Sequence, residues 1–217
     1  MNQLFKLVST STVQTLTMVF FSTIFSLVLG FPLGVLLCAT DPKGITPRPV
    51  LNQILSRIVN VLRSFPFIIL MILLFPLSRI LLHTAIGTKA TIVPLSIAAA
   101  PFVARIIETS LNEVDPGVIQ AARAMGSTNW QIVFKVLIPE AMPSLVSGIT
   151  LTIINLVGYS AMAGAIGGGG LGDLAIRYGY QRFRTEVMAA AVVVLLVLVE
   201  LIQLVGTNIS NRMMARR

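Results

Sequence analysis

Long apolar runs broken by short polar intervals set the pattern of this chain. No Asp, Glu, Lys or Arg occurs from Leu7 to Thr40, more than the roughly 20 residues a helix needs to cross a bilayer, so a first span is predicted over about 13–39. Fifteen uncharged residues separate Arg63 from Arg79, and again Lys89 from Arg105. With end arginines snorkelling to the interface, these give spans at about 58–77 and 90–107, with Pro66, Pro76, Pro94 and Pro101 as kinks. Two further spans are predicted at about 144–165 and 187–205. Asp41-Pro42-Lys43-Gly44, with Pro47 and Pro49, reads as a loop. The interval 108–142 is too polar to lie in a bilayer, and there the spacing predicts two short helices. Asp115 as N-cap and Pro116 at the first helical position open one over Pro116 to Met125, and Gly126 closes it. Val118, Ala121, Ala122 and Met125 share one face of it, small enough for another backbone to approach, with Gln120 and Arg123 to the side. The second, capped by Ser127 or Thr128, is expected to end near Leu137 because Pro139 forbids its continuation.

Composition agrees with this all-α membrane reading. Of 217 residues, 55% are hydrophobic and 11% charged, against about 25% charged in soluble domains, and mean hydropathy is +0.89. The net charge of +8 is spread singly with no aromatic-interleaved basic patch, which excludes a nucleic-acid partner and points to anionic membrane lipid. Five spans put the termini on opposite sides. Lys43, Arg48, Arg57, Arg123, Lys135 and the tail with Arg212, Arg216 and Arg217 favour a cytoplasmic C-terminus and an outer N-terminus, although Lys6, Arg79, Lys89, Arg177, Arg182 and Arg184 then fall outside. The first apolar run is longer than a signal-peptide core, so it is read as a retained helix. Gly30 and Gly34 form a G-x-x-x-G pair around Pro32, which fits either packing inside one subunit or dimerisation.

Catalytic chemistry finds no support. Gly167, Gly169 and Gly172 match G-x-G-x-x-G only because they lie in a glycine run, which follows a membrane helix rather than a strand, and no Gly-Lys-Ser/Thr occurs. The run reads as a flexible turn, or alternatively as a filter of exposed carbonyls. With His83 the only histidine and Cys38 the only cysteine, neither a histidine triad nor a metal cluster can be assembled, and no cofactor is expected. Glu200 is the one acid embedded in a predicted span. It is expected to pair with a basic group near the cytoplasmic end, or else to relay protons.

The order Gln120-Ala121-Ala122, three residues, Gly126, nine residues, then Val136-Leu137-Ile138-Pro139 resembles the EAA loop of bacterial ABC importer permeases, E-A-A-x3-G-x9-I-x-L-P. Gln120 replaces the Glu, removing one possible salt bridge to a partner, and Val136 and Ile138 replace Ile and Leu. The run from Gly158 to Gly172, with RSFPFIIL at Arg63 to Leu70 and AAPFVAR at Ala99 to Arg105, is similar to the methionine importer permeases. The resemblance covers nearly the whole chain. It implies a multi-pass protein of the bacterial inner membrane whose loop docks in a cleft of a separate ATPase through Gln120, Ala121, Ala122, Arg123, Gly126 and Pro139. It also implies a homodimer on an ATPase homodimer, a periplasmic or lipid-anchored methionine-binding protein outside, and methionine, D-methionine included, as substrate. The rival reading is a stand-alone proton-coupled carrier or channel, suggested by Glu200 and the glycine run. Because the fourth span joins the docking loop directly, Tyr159 and Met162 are expected to close the outer half of the pathway, with Gly164 allowing a bend; packing of both residues within one subunit is the alternative.

Overall fold

The computed structural model describes residues 2–84 and 86–215, and among these there is no strand. Arg216 and Arg217, part of the basic tail, lie outside the described residues. The helices are α1 (Asn2–Thr40), α2 (Pro49–Ser64), α3 (Phe67–Leu82), α4 (Thr88–Asn112), α5 (Pro116–Ala124), α6 (Asn129–Ile132), α7 (Ile138–Gly164), α8 (Gly170–Leu174) and α9 (Thr185–Met214), with π-helical turns at Val133–Leu137 and Ala175–Tyr180. Among the described residues four helices are long and apolar enough to cross a membrane, and the bent pair of α2 and α3, counted as one span, is a fifth.

The first span begins far earlier than its apolar pattern suggests. Residues 2–12 look too polar, yet Ser9 Oγ donates to the Lys6 carbonyl at 3.1 Å and Thr12 Oγ1 to the Val8 carbonyl at 2.8 Å. Folding back on the helix's own backbone in this way hides their hydroxyls. Gly30 and Gly34 press α1 onto α4: a Cβ on either would stand 2.6 Å from the Ala100 or the Ala104 carbonyl oxygen. The G-x-x-x-G pair is therefore used for packing inside one subunit.

The second span, expected as one helix over 58–77, is two helices bent by 101°. Pro66 lacks an N–H and bars the residue before it from helical backbone; Phe65 accordingly sits at φ −68, ψ 131. α2 is amphipathic and is held to α4 by Arg105, which donates to Ser56 Oγ at 2.9 Å and Asn60 Oδ1 at 2.8 Å while pairing with Glu108 at 2.6 Å. Glu108 is buried inside α4, so the polar segment begins near Glu113 rather than at 108.

The fourth span also departs from expectation. Pro139 does not stop the second docking helix; α6, the first π turn and α7 run on as a single 36-residue helix, Asn129–Gly164. In the π turn the Ile138 N–H reaches back five residues to the Val133 carbonyl. That wider turn makes room for a ring that would strike the carbonyl four residues back in an α-helix. α7 then packs on α4 and α9. Ser144 meets Ser110 at 3.0 Å, Ser147 meets Ser210 at 2.9 Å, and Ser210 donates to the Pro143 carbonyl at 2.9 Å.

Beyond Gly164 the chain reverses through the glycine run into α8, an element too short to show in the sequence pattern. The run is a turn, but a fixed one. The Gly170 and Leu171 N–H groups donate to Gln14 Oε1 and Thr15 Oγ1 of α1, each at 2.9 Å, and Gly87 N–H donates to the Gly167 carbonyl at 3.0 Å.

Candidate functional site

The polar segment forms as its local chemistry dictates. Asp115 Oδ1 accepts from the Gly117 N–H at 2.6 Å, and Pro116 follows at the first helical position. Gly126, at φ +81, carries the chain out of α5, a left-handed conformation that costs other L-residues about 1–2 kcal/mol. Thr128 then opens α6 with a full capping box: its Oγ1 accepts from the Gln131 N–H at 3.4 Å, and Gln131 Oε1 accepts from the Thr128 N–H at 2.8 Å. Between the two sequence candidates for this cap, the structure uses Thr128.

Which side chains face outward differs in one respect from the expected wheel. Val118, Ala121 and Met125 are exposed, Met125 to 80%, as are Gln120, Arg123, Gly126 and Pro139. Ala122 is not part of that surface. Its methyl is buried in one apolar cluster with Cys38, Ile107, Leu111 and Leu137, and α5 rests chiefly on the first π turn. Arg123 Nη2 donates to the Ile45 carbonyl at 2.9 Å, tying α5 to the α1–α2 loop. No sequence pattern announced this contact, because its partners lie 78 positions apart.

A short, locally capped helix is thus joined through one four-residue turn-and-cap to a helix roughly 54 Å long at 1.5 Å per residue. The far end of that helix carries the other residues singled out in the sequence, and the structure separates them. Tyr159 stacks on Phe67 with ring centroids 4.2 Å apart and planes 7° from parallel, within the apolar cluster of Leu95, Ala99 and Leu156. It packs inside the subunit. Met162 is 52% exposed. Gly164 lies against the backbone of Gly172 and Asp173, where a Cβ would collide; it serves close packing, not bending. Met162 instead belongs to an exposed stripe with Leu151, Asn155 and Gly158. Asn155 and Gly158 were missed, though their spacing from Met162, seven and four residues, is the helical period that could have found them.

Glu200 is exposed on α9, and among the described residues it forms no ion pair. Among the described residues the expected basic partner is absent. No group of three or more metal-binding side chains occurs among the described residues.

A bundle of membrane-crossing helices, interrupted by one polar helix pair that is continuous with a span, defines a multi-pass membrane protein. The chain belongs to the family described as binding-protein-dependent transport system inner membrane component, whose model matches residues 30–215. It is 48% identical over 206 residues, 95% of this chain and 92% of the relative, to the probable D-methionine transport system permease protein MetI of Vibrio cholerae serotype O1. It is 47% identical over 176 residues, 81% of this chain and 79% of the relative, to the methionine import system permease protein MetP of Bacillus subtilis. Among solved structures it is similar to a chain of the inward-facing MetNI methionine ABC transporter. That match has a TM-score of 0.96 and 46% identity, covering 98% of this chain and 99% of that one.

Proposed function

We propose that this chain is the membrane-spanning permease subunit of a binding-protein-dependent ABC importer, carrying methionine, D-methionine included, across the bacterial inner membrane. ATP is hydrolysed on a separate ATPase homodimer. Two copies of the chain enclose the pathway, and a periplasmic or lipid-anchored methionine-binding protein delivers substrate outside. The C-terminus and the α5–α6 segment are cytoplasmic, and the N-terminus is outside.

The observation that carries this reading is the continuity of α6, the π turn and α7. ATPase motion received on the exposed face of α5, by Val118, Ala121 and Met125 beside Gln120 and Gly126, passes through the Thr128 cap into one rigid rod. That rod ends at the stripe of Asn155, Gly158 and Met162. In a homodimer each such residue is presented twice about the two-fold axis, so paired methionines form a deformable plug that excludes water while the ATPase is idle. A stand-alone carrier is not favoured.

Reconstitution tests the reading. Proteoliposomes holding this chain, its ATPase and the binding protein are expected to take up labelled L- and D-methionine only with ATP and binding protein present. Uptake driven by a proton gradient without the ATPase would overturn it.

A further inference from the structure

We infer that the groove between the lower end of α1 and the α6–π segment binds an acyl chain of an anionic phospholipid, drawn from the leaflet on the docking-segment side. The groove has a volume of about 530 Å³, and its walls include Phe31, Val35 and Leu36 from α1 and Trp130, Val133 and Phe134 from the facing segment. Only Thr46 and Asn129 interrupt the apolar lining.

Three observations point to lipid. First, the groove continues an exposed apolar stripe that descends α1 through Phe21, Phe25, Val28 and Leu36. Tails that cover this stripe in the bilayer lead directly into the groove. Second, Trp130 is 74% exposed although it is stacked on Phe134, with centroids 5.4 Å apart and planes at 9°. An indole and a phenyl left open at the end of a membrane span match the aromatic belt of a membrane–water boundary. Third, the loop that supplies Ile45 and Thr46 to the groove is basic. Ile45, whose side chain lines the groove, accepts from Arg123 through its carbonyl at 2.9 Å. Lys43 and Arg48 flank the Ile45–Thr46 pair, and Lys135 adjoins Phe134. Asp41 is the one acid in that loop, and its Oδ1 accepts from the Lys43 backbone N–H at 2.9 Å. This surplus of positive charge complements an anionic headgroup held above a buried tail.

Trp130 is the only tryptophan in the chain, which makes it a built-in probe. The permease with its ATPase would be reconstituted in neutral bilayers doped with phosphatidylglycerol or phosphatidylcholine carrying dibrominated acyl chains. Subtracting the emission of a Trp130→Phe complex isolates Trp130 from the ATPase tryptophans. The expected result is quenching by bromo-phosphatidylglycerol at a several-fold lower mole fraction than by bromo-phosphatidylcholine, with the preference lost in Lys43→Gln/Arg48→Gln. Absence of quenching by either lipid would overturn the inference, showing a second copy or the ATPase seated on the groove. Equal quenching by both lipids, or a preference that survives the double substitution, would overturn its anionic part. Because no arm of the experiment reads methionine transport, its failure is separable from failure of the importer reading.

Discussion

Substitution of Gly126 separates what the turn costs this chain from what a partner finds there. Gly126 sits at φ +81, and a Cβ built on it meets nothing within 4 Å. Within the chain, therefore, a side chain costs backbone strain and no clash. For Ala that strain is about 1–2 kcal/mol, a factor of roughly 5–30 in the balance between the closed turn and its frayed forms. Asn tolerates left-handed backbone through local hydrogen bonding, so Gly126→Asn costs less while adding more bulk. If the empty space around Gly126 belongs to the ATPase, Gly126→Asn and Gly126→Asp leave the detergent melting temperature of the permease nearly unchanged but cut ATPase recovery on affinity purification. Gly126→Ala, with less bulk, is expected to retain ATPase recovery between wild type and these two. The assay is the ATPase-to-permease ratio after purification, normalised to membrane expression. Wild-type ratios in both Gly126→Asn and Gly126→Asp would refute the docking assignment.

Other substitutions test the packing and the far end of the rod. Gly34→Leu drives a side chain into the Ala104 carbonyl and Ile107; it is expected to destabilise the α1–α4 pair by at least the 1–3 kcal/mol of ordinary overpacking, read as lost monodispersity in detergent. Glu108→Ala leaves Arg105 without its acid and should cost about 2 kcal/mol, less than the roughly 3–5 kcal/mol of a fully buried pair because Arg105 is a quarter exposed and keeps Ser56 and Asn60; Glu108→Gln should lose less, both followed by thermal melting. Met162→Ala should leave expression and ATPase recovery intact while raising methionine leakage from proteoliposomes lacking ATP. Tyr159→Ala, which removes a packed ring, should lower expression and melting temperature, by about 3 kcal/mol of stability.

How much could be read from the sequence varied with how local the cause was. The ends of α5 were legible because Asp115, Pro116 and Gly126 act within a turn of themselves, and the long apolar runs revealed the spans at α4 and α9. The start of α1 was hidden because serine and threonine read as polar, yet in a helix they satisfy themselves on the preceding turn. Pro66 and Pro139 show the limit of reading a proline alone. One breaks its span through 101°, whereas the other is absorbed by a π turn that only the surrounding packing supports. The outward face of α5 was legible except at Ala122, whose burial depends on a cluster with residues as distant in the chain as Cys38. Tyr159 and Met162 looked alike in sequence, and Phe67, from a distant helix, is what draws Tyr159 inward.

If one rod links ATPase docking to the outer stripe of α7, the distance between the two copies of position 162 must respond to the nucleotide state. Spin labels on Met162→Cys, in a Cys38→Ala background that removes the only native cysteine, would be measured by pulsed electron spectroscopy in the assembled transporter. Nucleotide-free and ATP-trapped states would be compared, with and without Gly126→Asp. The expected result is a shift in the inter-label distance on ATP trapping that disappears when Gly126→Asp uncouples α5. A distance that stays the same in both nucleotide states, or one that shifts equally with the docking face blocked, would contradict it.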